Sequence, residues 1–201
     1  MMRVVILDLG LGNLLSIKRG LERAGGEVVL ASSDAEVSDA EALVIPGVGA
    51  FRDGIRALRG FGTAVEEIKS GKKPMLGVCL GMQLLFERSY EGGEYEGLGL
   101  IRGEVVRLPN SVKVPHMGWN EIVVMKNSPL LKDLNSKAYF YFVHSYYCRT
   151  DEDVVLATTD YGVEIPAIVE KKNLVGTQFH PEKSGKNGLL FLKDFLGWCR
   201  R

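Results

Sequence analysis

Pro74-Met75-Leu76-Gly77-Val78-Cys79-Leu80-Gly81-Met82-Gln83 runs from an apolar, strand-like stretch into a helical one through a cysteine with a glycine two residues before it and two after. This is the G-x-nucleophile-x-G pattern of a nucleophile elbow, with cysteine in place of serine. The turn is too tight for side chains at the flanking positions, hence the glycines. It lifts the sulfur clear of a sheet and sets it at a helix N-terminus, where the positive end of the dipole favours the nucleophilic thiolate. The Leu80 N–H then points to where an oxyanion forms. The alternative is a small buried cysteine. Cys148 and Cys199 lack elbow flanks and read that way.

On the N-terminal side, Arg3–Leu9, Glu27–Ala31 and Ala42–Ile45 are short apolar runs that read as buried strands, like Pro74–Val78. Leu14, Ile17, Leu21 and Ala24 recur at helical spacing before Gly25-Gly26, and about Ile55–Ser70 and Leu80–Arg88 also read as helices. This alternation predicts an α/β fold with a mostly parallel central sheet and helices on both faces. After about Gly103 the pattern changes. Glu104–Leu108, Glu121–Met125, Tyr139–Val143, Val154–Thr159 and Ala167–Glu170 read as strands of a mixed or antiparallel extension of that sheet. Leu174–Phe179 is a late strand, and Gly188–Trp198 a closing amphipathic helix. No repeat or linker interrupts residues 1–201, so one domain is expected.

Lys plus Arg and Asp plus Glu are each 25, a neutral balance that argues against broad nucleic-acid binding. Met1–Leu11 carries Arg3 and Asp8 and does not read as a signal peptide. No run approaches the length of a membrane span, so a soluble, cytoplasmic protein is expected. Three scattered cysteines make no disulfide framework, no C-x-x-C pair suggests zinc, and no cofactor is called for.

A thiolate nucleophile needs a proton partner. His180 follows the strand Leu174–Phe179, on the sheet edge where the elbow should open. Pro181 ends that strand, and Glu182 can turn back to orient the imidazole. The alternative is a surface-loop histidine. Pro46-Gly47-Val48-Gly49 follows the third strand, and its glycines let the backbone approach a ligand and supply a second oxyanion N–H. The alternative there is an ordinary turn. Neither this loop nor Gly10-Leu11-Gly12 completes a dinucleotide fingerprint, since Leu15 and Arg52 stand at the third glycine position.

Gly77-Val78-Cys79-Leu80-Gly81-Met82-Gln83 with His180-Pro181-Glu182 resembles the class I (triad) glutamine amidotransferases. Pro46–Gly49, Pro115-His116-Met117-Gly118-Trp119-Asn120 and Phe142-Val143-His144-Ser145-Tyr146 narrow the likeness to the glutaminase subunits of imidazole glycerol phosphate synthase, over essentially the whole chain. The resemblance implies that Cys79 attacks the glutamine amide, His180 moves the proton, and a thioester is hydrolysed to glutamate. It implies that Leu80 and Gly47, Val48 and Gly49 hold the oxyanion. Gln83 with His144, Ser145 and Tyr146 would bind the amino-acid head of L-glutamine. It also implies a partner, a (βα)8-barrel cyclase subunit, which receives the ammonia. Asn13, Trp119, Asn120 and Lys183 are candidates for the surface facing it. Core packing is the alternative for Trp119, and His116 reads as a satisfied structural histidine.

Rival readings are the glutaminase subunit of another synthase, for pyridoxal phosphate or anthranilate, and a non-catalytic cysteine redox sensor. A serine hydrolase fails for want of G-x-S-x-G.

Overall fold

The computed structural model describes residues 1–135 and 137–201. In chain order the elements are β1 (Met2–Leu7), α1 (Leu14–Ala24), β2 (Gly26–Ala31), β3 (Ala42–Ile45), α2 (Phe51–Leu58), α3 (Gly62–Lys69), β4 (Met75–Val78) and α4 (Leu80–Gln83). Then come β5 (Phe86–Ser89), β6 (Tyr95–Glu96), β7 (Ile101–Arg107), β8 (His116–Val124), β9 (Lys137–His144) and β10 (Tyr146–Arg149). β11 (Val155–Asp160), β12 (Glu164–Lys171), β13 (Leu174–Thr177) and α5 (Gly185–Trp198) complete the chain.

A nine-stranded sheet has the order β2-β1-β3-β4-β13-β12-β11-β8-β9. Its first five strands are parallel and the rest antiparallel, as the change of pattern predicted. Side chains on a strand alternate between faces, so β1 sends Val4 and Ile6 into one core and Val5 and Leu7 into the other. The first core lies under α1 and α5, with Phe179, Phe191 and Phe195. The second lies under α2 and α3, with Phe51, Leu58 and Ile68. No helix among the described residues is long and apolar enough to cross a membrane.

Three expectations need correction. The helix over Leu80–Arg88 is only the one turn of α4, and the chain then opens into β5. Leu84, Leu85 and Phe86 are buried all round, and the carbonyls of Leu84, Leu85 and Phe86 accept from Leu98, Leu100 and Gly99. A strand can use those partners and a helix cannot. The helix over Ile55–Ser70 is two helices broken at Arg59–Phe61, because Asp34 caps the second. Its carboxylate takes the N–H groups of Thr63 and Ala64 at 2.8 and 3.1 Å. Finally, the Glu104–Leu108 strand does not extend the main sheet. As β7 it joins a separate sheet of order β10-β7-β5-β6.

Candidate active site

β1, β3, β4 and β13 run parallel as neighbours, so the loops after them share one edge, where open α/β sheets place their ligands. Cys79 follows β4 with φ +52° and ψ −104°, a strained conformation that costs on the order of 1–3 kcal/mol. The elbow's glycines are required. A Cβ on Gly77 would lie 2.5 Å from the Gly81 carbonyl oxygen, and one on Gly81 would lie 1.8 Å from that of Ile45.

His180 follows β13. Its main-chain N–H donates to the Tyr141 carbonyl at 2.9 Å, and its carbonyl accepts from Ser184 Oγ at 2.6 Å. The ring is therefore held from both sides of its backbone. Nδ1 lies 2.8 Å from Glu182 Oε1, both side chains being buried. A carboxylate only accepts, so Nδ1 carries the proton and Nε2 is left for the sulfur. Among the described residues Nε2 meets no partner within ordinary hydrogen-bond geometry. Burial opposes charge on the imidazole, but interaction with Cys79 and then with Glu182 outweighs it and pushes the pKa up to about 10. The structure thus brings Cys79, His180 and Glu182, the three residues singled out in the sequence, to one edge of the sheet.

The Pro46–Gly49 loop follows β3 onto the same edge, but with a carbonyl turned to Leu80. The Leu80 N–H donates to the Gly47 carbonyl at 3.3 Å, so the loop presents an acceptor where a second donor was expected. Gly49 has φ +133°, and the half-exposed Val48 packs over Gly12 of the loop after β1.

Cys79 and Leu80 open on a cavity of about 360 Å³ also lined by Gln83, Glu91, Ser145 and Tyr146. Three larger clefts lie elsewhere, two of about 680 Å³ beside Trp198 and beside Pro129 and one of about 420 Å³ beside Arg149. None is lined by Cys79, His180 or Glu182. Gln83 Nε2 donates to the Tyr146 carbonyl at 2.9 Å and to Gln178 Oε1 at 3.3 Å. His144 borders the cavity but has both ring nitrogens engaged. Nδ1 meets the Tyr146 carbonyl and Nε2 meets His116 Nδ1, each at 2.9 Å. A carbonyl can only accept, so His144 Nδ1 is the donor, His116 Nδ1 donates to His144 Nε2, and His116 Nε2 accepts from Asn120 Nδ2 at 3.3 Å. Burial depresses both imidazoles, to about 4 for His116 and about 3 for His144, which keeps this chain neutral. His144 thus holds the Tyr146 carbonyl and has no ring nitrogen left for the cavity.

Of the surface candidates, Trp119 is 57% exposed, which removes the core-packing alternative. Its ring meets Tyr141 edge-on, and exposed Lys183 lies over the same tyrosine. Asn13 is exposed and caps α1 through the Leu15 N–H. Asn120 is half-buried, and its amide is engaged by His116, the Asp160 carbonyl and the Glu121 N–H, so it also supports the histidine pair.

Sequence reading missed two residues. Glu91 brings a carboxylate to the cavity and accepts from the Phe51 N–H at 2.8 Å. No local pattern marks it. Gln178 is fully buried and donates through Nε2 to Cys79 Sγ at 3.6 Å. A lone primary amide inside the apolar run Leu174–Phe179 was the available signal.

The family profile described as Glutamine amidotransferase class-I matches residues 5–197. Imidazole glycerol phosphate synthase subunit HisH of Caldanaerobacter subterraneus subsp. tengcongensis is 50% identical over 194 residues, covering 94% of this chain and 95% of that protein. The protein of the same name in Archaeoglobus fulgidus is 45% identical, covering 98% and 100%. A crystal structure described as glutamine amidotransferase superposes with a TM-score of 0.77 at 21% identity, covering 98% and 99%. PurLQS from Thermotoga maritima gives 0.78 at 22%, covering 98% of both chains. At that identity the superpositions speak for the fold. Together with the sequence relatives, they and the assembled elbow mean that this chain belongs to the class-I glutamine amidotransferases and, among them, to the family of imidazole glycerol phosphate synthase subunit HisH.

Proposed function

We propose that this chain is the glutaminase subunit of an imidazole glycerol phosphate synthase and that Cys79, His180 and Glu182 carry its chemistry. The observation behind the assignment is the strained elbow cysteine, next to an imidazole locked at 2.8 Å on a buried carboxylate, at the mouth of a cavity lined by a single acidic side chain, Glu91. Glutamine fits with its amide at Cys79 and its α-ammonium towards Glu91 and the Gln83 amide oxygen. The Cys79 thiolate adds to the amide carbon. The His180 imidazolium protonates the nitrogen, the C–N bond breaks, and ammonia leaves a thioester. His180 then takes a proton from water, the hydroxide adds, and glutamate departs as the thiolate is restored.

A small cavity of about 90 Å³ on the far side of His180 and Glu182 reaches Asn13 and Lys183, which suits it as the way out for ammonia. Exposed Met117, Trp119 and Tyr139 lie on the same face of β8 and β9, and an apolar patch of this kind suits a docking partner. The partner is a cyclase subunit, of (βα)8-barrel fold by the resemblance. It uses the ammonia to make imidazole glycerol phosphate and an aminoimidazole carboxamide ribonucleotide. Two features speak against a redox sensor: the imidazole–carboxylate pair and the built cavity. The names of the relatives speak against the pyridoxal phosphate and anthranilate readings.

The test is Cys79→Ala. Glutamate release should vanish, while added ammonium salt still feeds the cyclase in the complex. Release at the normal rate would remove Cys79 from the mechanism.

A further inference from the structure

Because α4 is one turn long, its dipole gives the Cys79 sulfur little support. Gln178 is placed to supply what the helix does not. Its side chain is fully buried, with Nε2 on Cys79 Sγ at 3.6 Å and Oε1 on Gln83 Nε2 at 3.3 Å.

A main-chain carbonyl sets the direction of both amides. The Tyr146 carbonyl oxygen can only accept, so the Gln83 nitrogen must be the atom 2.9 Å from it. That same nitrogen meets Gln178, which must answer with its oxygen and turn its nitrogen to the sulfur. Reversing either amide sets like against like. Beside His180, which interacts with Cys79, the sulfur also meets the Val143 carbonyl at 3.8 Å, an acceptor that serves only the thiol. The Gln178 N–H serves the thiolate, because a donor stabilises the charged form.

We propose that Gln178 is a further catalytic residue, whose side-chain amide donates to the Cys79 thiolate and holds the nucleophile charged and aimed. The same N–H receives the sulfur again when the thioester collapses and thiolate is the leaving group. The inference rests on Cys79 being the nucleophile.

Two variants of the full chain test it. Gln178→Leu removes the amide. Gln178→Glu keeps its shape and an oxygen for Gln83 but replaces the donor to sulfur. The probe is iodoacetamide, which has no amino-acid head and does not read the Gln83 contact. Modification of the Cys79 peptide is followed by mass spectrometry from about pH 5 to about pH 10, a range that spans ordinary and activated thiols. At neutral pH both variants should be modified about tenfold more slowly than wild type or worse, as expected for a lost charge-assisted hydrogen bond. Both should recover at alkaline pH, where the thiolate forms without help. In Gln178→Glu, kcat for glutamine should fall with KM little changed. Modification of Gln178→Glu at the wild-type rate at neutral pH overturns the proposal. So does an equal loss at every pH, the mark of blocked access or a damaged fold. If iodoacetamide spares Cys79 in the wild-type chain, the assignment of the nucleophile itself fails.

Discussion

Replacing Glu91 by glutamine asks whether one carboxylate recognises the amino-acid head of the substrate. Glu91 lines the cavity that Cys79 opens on, and one of its oxygens already accepts from the Phe51 N–H at 2.8 Å. The substitution keeps an oxygen for that contact, so the first turn of α2 stays capped and only charge is removed. A hydrogen bond between charged groups is worth about 1.5–3 kcal/mol, and partial exposure of Glu91 puts the loss in the lower half of that range. A loss of about 1.5–2 kcal/mol corresponds to roughly a 10- to 30-fold fall in kcat/KM. It should appear in KM, because the α-ammonium lies far from the bond that breaks and is bound alike in ground and transition states. The assay is glutamate release from glutamine beside hydrolysis of glutaramate, which is glutamine without the α-ammonium. Wild type should prefer glutamine, and Glu91→Gln should lose most of that preference by slowing on glutamine while leaving glutaramate untouched. A variant that slows equally on both substrates, or keeps KM for glutamine within about twofold, refutes the assignment, since the predicted loss is at least tenfold.

Other consequences follow from the same geometry. Glu182→Gln removes one of the two partners that raise His180 to about 10, so the imidazole should titrate lower, as read by 15N chemical shifts of the ring. A raised pKa keeps the proton on His180 through neutral pH and loses it as pH rises through about 10. Wild-type kcat should therefore fall on that alkaline limb, and an imidazole that titrates at the same pH in both chains would contradict the role of Glu182. Gly81→Ala drives a Cβ to within 1.8 Å of the Ile45 carbonyl oxygen, so it should unfold the elbow or sharply lower Tm, whereas Gly62→Ala, with open space around it, should not. Because the Leu80 N–H is held by the Gly47 carbonyl, the free chain should hydrolyse glutamine slowly and speed up when the cyclase and its nucleotide bind. Loss of one oxyanion donor costs about 100- to 1,000-fold in kcat, which sets the scale of the activation. A free chain as fast as the complex excludes the blocked state.

What was legible in the sequence is what is local in it. Gly77, Cys79 and Gly81 lie within five residues and their constraint is steric, so the elbow could be read directly. His180 and Glu182 are two residues apart, and the proline between them fixes the turn. The parallel half of the sheet could be read because most of its buried strands, though not Glu27–Ala31, were followed by a helical stretch. The length of α4 could not, because Leu84–Phe86 suits either state and is settled by carbonyl partners at Leu98–Leu100. The same holds for the site. Glu91 reaches the cavity through a contact 40 residues back along the chain, and Gln178 touches a sulfur 99 residues away. The short α4 and the Gln178 contact are linked. If the helix had continued to Arg88, as periodicity suggested, its dipole would have served the Cys79 thiolate and a buried amide there would be redundant. Ending the helix after one turn frees Leu84–Phe86 to build the second sheet, whose strand β10 begins at Tyr146, the residue whose carbonyl orients Gln83 and through it Gln178. The break in the helix therefore removes one source of support for the nucleophile and aligns another in its place, and the iodoacetamide profile of Gln178→Glu measures the second without the first.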